Sequence, residues 1–243
     1  MLFDCAVGRA VGHAGRLKRL LLYYITDRMQ LGADETTRRE RLLRRIGDAA
    51  AAGLDYVQLR ERDLTTRDLE RLAAQAMAAV RGSRAQLLIN SRVDVALAAG
   101  AHGVHLRSTD IAASEARATW AKSAGTTQCV IGVSCHSLAD VLSAEAHGAD
   151  FAVFGPVFGK QGSSQPPVGV EAIAGVVRRG GPVDNKVEAG QPLRMPVIAL
   201  GGITPENAAH CIQAGAAGIA GIRLFQQGDV TETVHRLRGS LER

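Results

Sequence analysis

Short runs of apolar and β-branched residues alternate with longer, Ala- and Leu-rich segments along most of the chain. The short runs have the length of buried strands, and the longer segments repeat their apolar residues with the period of a helix. Regular alternation of this kind is typical of a parallel sheet whose strands are joined by helices. Eight runs are predicted to be strands: residues 22–26, 56–60, 87–90, 103–106, 129–133, 151–154, 197–200 and 218–222.

The segments between these strands carry the end signals of helices. Ser137 precedes a helical pattern in the position of a capping residue. Glycines that suit a left-handed helix end recur at Gly53, Gly100, Gly148 and Gly215. The predicted helices include residues 37–52, 66–80, 94–99, 137–147, 205–214 and 230–241.

This repeating pattern predicts the fold class and the domain organisation. Eight strands alternating with helices over 243 residues indicate an α/β protein, a single (β/α)8 TIM barrel, which typically needs about 250 residues. The barrel is assigned to residues 21–243, after an N-terminal extension of residues 1–20. The polar segment 180–194 is predicted to be a loop insertion before the seventh strand.

Composition narrows the class of partner and the compartment. The formal net charge is +5, but the Lys and Arg residues are scattered and aromatic residues make up only 4%, so nucleic acid is not an expected partner. The four cysteines lack metal-site and disulfide-scaffold spacing and are predicted to be reduced thiols. We expect no membrane segment, because no apolar run approaches the ~20 residues of a spanning helix, and without a signal-peptide core a cytoplasmic protein is predicted.

The end of the second predicted strand carries two arginines. The active site of a TIM barrel lies at the carboxyl ends of its strands, and alternation along residues 58–62 places Gln58, Arg60 and Arg62 on one side of the chain. Planar guanidinium groups bind phosphate oxygens in pairs, so a diphosphate ligand is predicted here. The alternative is an inward arginine neutralised by Glu61.

Further polar side chains follow the third, fourth and fifth strands. Asn90 can bind a ligand, His105 is predicted to face inward, and Asp110 can hold Mg²⁺ or cap the helix around residue 114. Cys135 is interpreted as a buried thiol, since no neighbouring signature supports a nucleophile. His136 is either a proton shuttle or an exposed loop residue.

The last two strands end in glycine-rich segments. Gly201 and Gly202 follow the seventh strand, and residues 218–223 include Gly218 and Gly221 and end at Arg223. Many barrels bind a phosphate at this place through backbone N–H groups and a short helix. The sequence therefore predicts a phosphorylated ligand.

These segments together resemble the thiamine phosphate synthase superfamily, which also contains the thiazole tautomerases. The resemblance extends from Leu22 to Phe225, in order and at the expected spacing. It is carried by Tyr24-Ile25-Thr26-Asp27, Val57-Gln58-Leu59-Arg60-Glu61-Arg62, Ile89-Asn90-Ser91-Arg92-Val93-Asp94, Gly103-Val104-His105-Leu106, Ile131-Gly132-Val133-Ser134, Gly148-Ala149-Asp150, Phe154-Gly155-Pro156-Val157-Phe158 and Leu200-Gly201-Gly202-Ile203.

The resemblance implies a transferase. The synthases of this superfamily join hydroxymethylpyrimidine diphosphate to thiazole phosphate and release pyrophosphate, with Mg²⁺ and cations stabilising the leaving group. The implied roles are diphosphate binding by Gln58, Arg60, Arg62 and Asn90, Mg²⁺ binding by Asp110, assistance to the leaving group by Ser134, and binding of thiazole phosphate by Gly202 and the backbone of Ile222 and Arg223.

Three positions depart from the pattern of the family. Ser91 stands where the family has its first magnesium aspartate, which removes a strong oxygen ligand. The Thr-x-Thr-Lys loop is replaced by residues 159–164, in which Lys160 is the candidate substitute for the lysine. Arg223 stands in place of a serine.

The departures leave alternative functions open. A metal-independent thiazole tautomerase, an isomerase, would use His136 as acid and base. A degenerate barrel that only binds a thiamine precursor is the third possibility. The oligomeric state is also open, with a homo-oligomer among the options.

Overall fold

The computed structural model describes residues 19–126, 128–159, 166–178 and 193–239. Within these ranges eight parallel strands close into a barrel in the order of the sequence, which confirms the predicted TIM barrel. Most of the extension 1–20, most of the insertion 180–194 and Lys160 lie outside the described residues. The strands are β1 (Leu21–Ile25), β2 (Tyr56–Leu59), β3 (Gln86–Asn90), β4 (Gly103–Leu106), β5 (Val130–Cys135), β6 (Phe151–Phe154), β7 (Val197–Leu200) and β8 (Gly218–Gly221).

Helices surround the barrel, and several begin where the sequence predicts. Asp34, Thr65 and Ser137 accept backbone N–H groups of the first turn that follows each of them. Helices α6 and α8 have no counterpart among the predicted segments, and α4 was expected only as a helix around residue 114. The helices are α1 (Glu35–Ala51), α2 (Thr66–Val80), α3 (Val93–Ala98), α4 (Ala113–Ala124), α5 (Leu138–Ala146), α6 (Val170–Val177), α7 (Ala208–Gln213), α8 (Arg223–Gln226) and α9 (Val230–Gly239).

Alternation along the strands separates two apolar layers. One set of side chains, including Leu22 and Leu59, packs between the sheet and the helices. The other set fills the barrel interior and centres on Tyr23, Phe151 and Ile198. Because interior positions near the carboxyl ends of the strands are polar, the interior layer forms the floor of the candidate site.

Gly132 makes room for two rings at the centre of the barrel. A Cβ at this position would lie 2.5 Å from the ring of Phe151 and 3.0 Å from Nδ1 of His105. Both contacts are closer than packed atoms tolerate. Position 132 must therefore be glycine for the phenyl ring of Phe151 and the imidazole of His105 to keep these positions.

Two further expectations concern the thiols and the membrane. Cys129, Cys135 and Cys211 are free and buried, as predicted for reduced thiols. Among the described helices, none is long and apolar enough to span a bilayer.

Phe151→Ala tests the contribution of the barrel interior. The ring is 1% exposed and contacts the rings of Tyr23 and Tyr56. Because the substitution leaves a cavity, we expect the free energy of unfolding in denaturant to fall by about 3–5 kcal/mol. Met29→Ala, at a side chain that is 50% exposed, is the control and should change it by less than about 0.5 kcal/mol. Equal losses in the two variants would contradict the packing described here.

Candidate active site

A line of polar side chains runs across the ends of the second, third and fourth strands. Gln58 of β2 donates from Nε2 to Oδ1 of Asn90 at 2.8 Å. Asn90 in turn donates to the hydroxyl of Ser91 at 3.2 Å, and that hydroxyl donates to Asp110 at 2.6 Å. The structure therefore brings together three predicted site residues, Gln58, Asn90 and Asp110, with Ser91 as the link.

Ser91 adopts a backbone conformation that few residues with a side chain adopt. Its φ is +59°, and its N–H donates to the carbonyl of His105. This geometry turns the hydroxyl toward Asp110. A carboxylate in place of Ser91 would repel the carboxylate of Asp110 unless a cation lay between them. The hydroxyl of Ser91 donates a hydrogen bond instead.

Asp110 is held by Arg107 rather than by a helix end. Nε, Nη2 and the backbone N–H of Arg107 all donate to its carboxylate, at 3.0, 2.8 and 2.8 Å. Burial raises the pKa of Asp110, but the hydrogen bonds from Arg107 and Ser91 outweigh it, so the pKa lies below its usual value. Helix α4 begins after Ala112, whose N–H is accepted by Glu115, and Asp110 does not cap it.

This set of donors does not fit a Mg²⁺ ion in the present arrangement. The described residues contain no group of three His, Cys, Asp or Glu side chains that could hold a metal. Both oxygens of Asp110 already accept hydrogen bonds, and the guanidinium of Arg107 occupies the place of a cation. Mg²⁺ requires oxygen ligands free to coordinate it.

Glu61 lies between two arginines in the sequence, but its ion pair is with a third. The Arg28 side chain, 2% exposed, places Nη1 3.1 Å from Oε2 of Glu61 and also contacts Asp63 and Glu35. The second oxygen of Glu61 accepts the hydroxyl of Thr26. Among the described residues no ion pair joins Glu61 to Arg60 or Arg62, although the charge of Glu61 still raises the pKa of Arg60.

Arg60 and Arg62 are left without a salt bridge to any described residue. β2 ends at Leu59, so the predicted alternation does not continue to these arginines: Arg60 is half-buried and Arg62 is exposed. Burial lowers the pKa of Arg60, and the like charge of Arg62 lowers it further. The charges of Asp27 and Glu61 offset part of this shift, but neither carboxylate forms a salt bridge with Arg60. A half-buried guanidinium in that setting indicates a place for an anion.

His105 faces the barrel interior, as predicted, and contacts Ser134. Its Nε2 lies 2.8 Å from Oγ of Ser134, and its Nδ1 lies 3.0 Å from the hydroxyl of Tyr23. Burial lowers the pKa of His105 to about 3, and the nearby charge of Arg60 adds to the effect. The imidazole is therefore neutral at physiological pH.

The predicted phosphate loops lie at the ends of β7 and β8. Gly201 and Gly202 have φ values of +105° and +62°, and a Cβ on Gly202 would lie 2.9 Å from the carbonyl oxygen of Gly159. Ile222 and Arg223 open the short helix α8, where the first N–H groups have no partner within the helix. These glycines let the chain after β7 lie close against residues 156–159.

His136 and Cys135 follow β5 but face different surroundings. Nδ1 of His136 lies 2.6 Å from the carbonyl oxygen of Gly155 and donates to it, which leaves Nε2 as the acceptor. His136 is exposed and lines a cleft of about 640 Å³ together with Phe154 and Glu171. Burial raises the pKa of Cys135 to about 12, so its thiol stays protonated, as expected of a structural cysteine.

Sequence reasoning missed three residues that shape this site. A buried Arg28 is unusual enough that no local pattern predicts it. Tyr23 was assigned only to a strand. Arg107 precedes Asp110 by three residues, and that spacing was the available signal.

Comparison with known proteins places this geometry in a family. Residues 22–225 match the family model of thiamine monophosphate synthase. A putative thiamine-phosphate synthase of Geobacter sulfurreducens is 39% identical over 201 residues, which cover 82% of this chain and 83% of that protein. A second such protein, from Aquifex aeolicus, is 36% identical over 84% of this chain and 96% of its own length.

Solved structures agree with these sequence matches. The thiamine phosphate pyrophosphorylase of Pyrococcus furiosus superposes with a TM-score of 0.72 at 28% identity, over 93% of this chain and 96% of that chain. A 3-hexulose-6-phosphate synthase, at 15% identity and a TM-score of 0.61, shares the fold alone. With its barrel, its strand-end side chains and its relatives all in agreement, the chain belongs to the thiamine monophosphate synthase family.

Proposed function

We propose that this protein is a thiamine phosphate synthase of thiamine biosynthesis, acting in the cytoplasm. It joins hydroxymethylpyrimidine diphosphate to thiazole phosphate and releases pyrophosphate. The curated relatives that carry this name confirm the predicted class of transferase. The observation that carries the proposal for this chain is the pair of unpaired guanidiniums, Arg60 and Arg62, at one side of the barrel mouth.

The two arginines supply positive charge where the reaction develops negative charge. When the bond between the pyrimidine methylene carbon and the diphosphate oxygen breaks, the electron pair stays with the diphosphate. Arg60 and Arg62 stabilise that charge, while Asn90 and Ser134 donate hydrogen bonds to the departing oxygens. Arg60 is half-buried and close enough to lower the pKa of His105, which supports its placement over the interior of the barrel.

Thiazole phosphate binds at the opposite side of the barrel mouth. Gly202 and the backbone N–H groups of Ile222 and Arg223 hold its phosphate, and the Arg223 guanidinium adds charge. The thiazole nitrogen then attacks the pyrimidine methyl cation. Lys160, which lies outside the described residues, is included in the proposal as a further cation for the leaving group.

A specific observation keeps the tautomerase as a second candidate. The hydrogen bond from Nδ1 of His136 to Gly155 leaves Nε2 free to accept a proton from a ligand in the adjoining cleft. Proton transfer of this kind needs no metal. The interaction of Arg107 with Asp110 is compatible with both candidates.

The decisive assay supplies both substrates to the purified protein, with and without Mg²⁺, and measures pyrophosphate and thiamine phosphate. We expect both products in equal amounts, because one pyrophosphate leaves for each bond formed. His136→Ala should retain synthase turnover and lose any isomerisation of carboxythiazole phosphate. If neither condition yields thiamine phosphate, the synthase proposal is overturned. Binding of thiazole phosphate without turnover would then favour the binding-only barrel.

Arg60→Gln tests the diphosphate site without any chemistry. Inorganic pyrophosphate is the probe, and its affinity is measured by calorimetry. Removing a charge-assisted hydrogen bond costs about 1.5–3 kcal/mol, so we expect the affinity to fall by about 10- to 150-fold. Arg81→Gln, at the exposed end of α2 on the opposite side of the barrel, is the matched control and should leave the affinity unchanged. Equal affinities of the Arg60 variant and the wild type would remove Arg60 from the site.

The double variant Ser91→Asp, Arg107→Gln tests the metal end. It supplies a second carboxylate at a φ that aspartate tolerates and removes the cation bound to Asp110. We expect it to bind Mn²⁺ at least about tenfold more tightly than the wild type, measured by electron paramagnetic resonance without substrates. Adding Asp110→Asn should abolish the gain. Wild-type affinity equal to that of the double variant would contradict our interpretation of Arg107.

A further inference from the structure

Hydrogen bonds cross the barrel interior beneath the candidate site. They link Tyr23 of β1 through His105 of β4 to Ser134 of β5, at 3.0 Å and 2.8 Å. Tyr23 is 0% exposed and His105 is 2% exposed, whereas Ser134 is half-buried at the end toward the site. The buried imidazole therefore has both nitrogens in contact with protein hydroxyls, and neither is available to a ligand.

A neutral imidazole donates from one nitrogen and accepts at the other, so these hydrogen bonds have a direction. In one direction Tyr23 donates to Nδ1 of His105, and Nε2–H donates to Oγ of Ser134. In the other direction, Nδ1–H donates to the hydroxyl oxygen of Tyr23, and the hydroxyl of Ser134 donates a hydrogen bond to Nε2. Only the first leaves the proton of Ser134 free for a ligand.

The distances around Tyr23 select the first direction. Its hydroxyl proton has two acceptors, Nδ1 of His105 at 3.0 Å and Oε1 of Gln58 at 3.4 Å. The reverse direction would require the longer contact, which lies outside the usual range of about 2.5–3.0 Å for a bond between two oxygens. The bond from Nε2 of Gln58 to Asn90 at 2.8 Å fixes Oε1 as the end of the amide that faces Tyr23, and exchanging the amide ends would lose that bond.

In this direction the hydroxyl proton of Ser134 has no acceptor in the described part of the chain. Among the residues that the structure describes, the ring of His105 is the single hydrogen-bond partner of the Ser134 side chain. With Nε2–H directed at one lone pair of Oγ, the hydroxyl proton of the half-buried Ser134 is free to be donated to a ligand. The charge of Arg60 acts electrostatically on His105.

We propose that His105, oriented by Tyr23, is a positioning residue that fixes Ser134 as a hydrogen-bond donor to the leaving oxygen of the diphosphate. The proposal rests on the synthase function proposed above. No proton is transferred: the carbon–oxygen bond breaks, its electron pair goes to the diphosphate, and Ser134 Oγ–H donates to the oxygen that gains charge. Tyr23 and His105 never touch the substrate and act through the serine alone.

The first test reads the tautomer directly and needs no turnover. Protein labelled with ¹⁵N histidine is studied by imidazole nitrogen–proton correlation spectroscopy. The signals of His105 among the seven histidines are assigned by their loss in His105→Gln, or by proton contacts with the Phe151 ring, 6.4 Å away between ring centres. We expect a protonated Nε2 and an unprotonated Nδ1. The opposite tautomer overturns the proposal, whether or not the protein is a synthase.

The second test compares two neighbouring tyrosines. Tyr23→Phe removes the hydroxyl that orients His105, whereas Tyr24→Phe removes an equally buried hydroxyl that donates to Gln226 at 2.9 Å outside the barrel interior. Both variants lose one buried hydrogen bond and should lose similar stability. Only Tyr23→Phe should populate both tautomers of His105 and lower kcat by about tenfold at unchanged KM.

The outcomes of this comparison are distinct. A loss of kcat in Tyr23→Phe alone, with a mixed tautomer, supports the proposal. Equal kcat in the two variants, or a loss of affinity in place of turnover, overturns it. If the wild type makes no thiamine phosphate, the synthase function has failed, and the tautomer ratio in the two tyrosine variants still decides whether Tyr23 orients His105.

Discussion

The pairing of Glu61 with Arg28 determines what the barrel mouth can bind. Glu61 lies between Arg60 and Arg62 in the sequence, and an ion pair with either arginine would neutralise its charge. Arg28 reaches it from the loop after β1 and is itself nearly inaccessible to solvent. A buried ion pair contributes little net stability, because desolvation offsets the Coulomb attraction. Its effect here is on arrangement, since Arg60 and Arg62 keep no salt bridge to a carboxylate in the described part of the chain.

The hydrophobic periodicity of the sequence predicted the strands and helices more accurately than the arrangement of the site residues. Strand β6 (Phe151–Phe154) and helix α2 (Thr66–Val80) begin and end where the pattern predicts, because burial and capping are local properties of the sequence. Helix α6 was missed because its valines, isoleucine and glycine are weak helix formers, and packing determines its conformation. The alternation that places Gln58 inward was right, but it was extended past the end of the strand to Arg62.

The polar contacts that give the site its character depend on distances in three dimensions. Ser91 could be recognised as a missing carboxylate, but not as a donor to Asp110, because that role needs its left-handed backbone. Arg107 holds Asp110 in the position where a metal was expected from the resemblance. At this end of the site a side-chain cation lies beside the carboxylate, while the predicted phosphate loops keep the glycines that the sequence indicated.

Gly132 ties the apolar centre of the barrel to the hydrogen bonds above it. The absence of a side chain there accommodates both the phenyl ring of Phe151 and the imidazole of His105. Any redesign that fills this space, however well it improves packing, would displace the imidazole and change which atom Ser134 can offer its proton to. A substitution in the interior of this barrel that improves stability can therefore alter the site, because the packing of Phe151 and the hydrogen bonds of His105 both depend on the absence of a Cβ at Gly132.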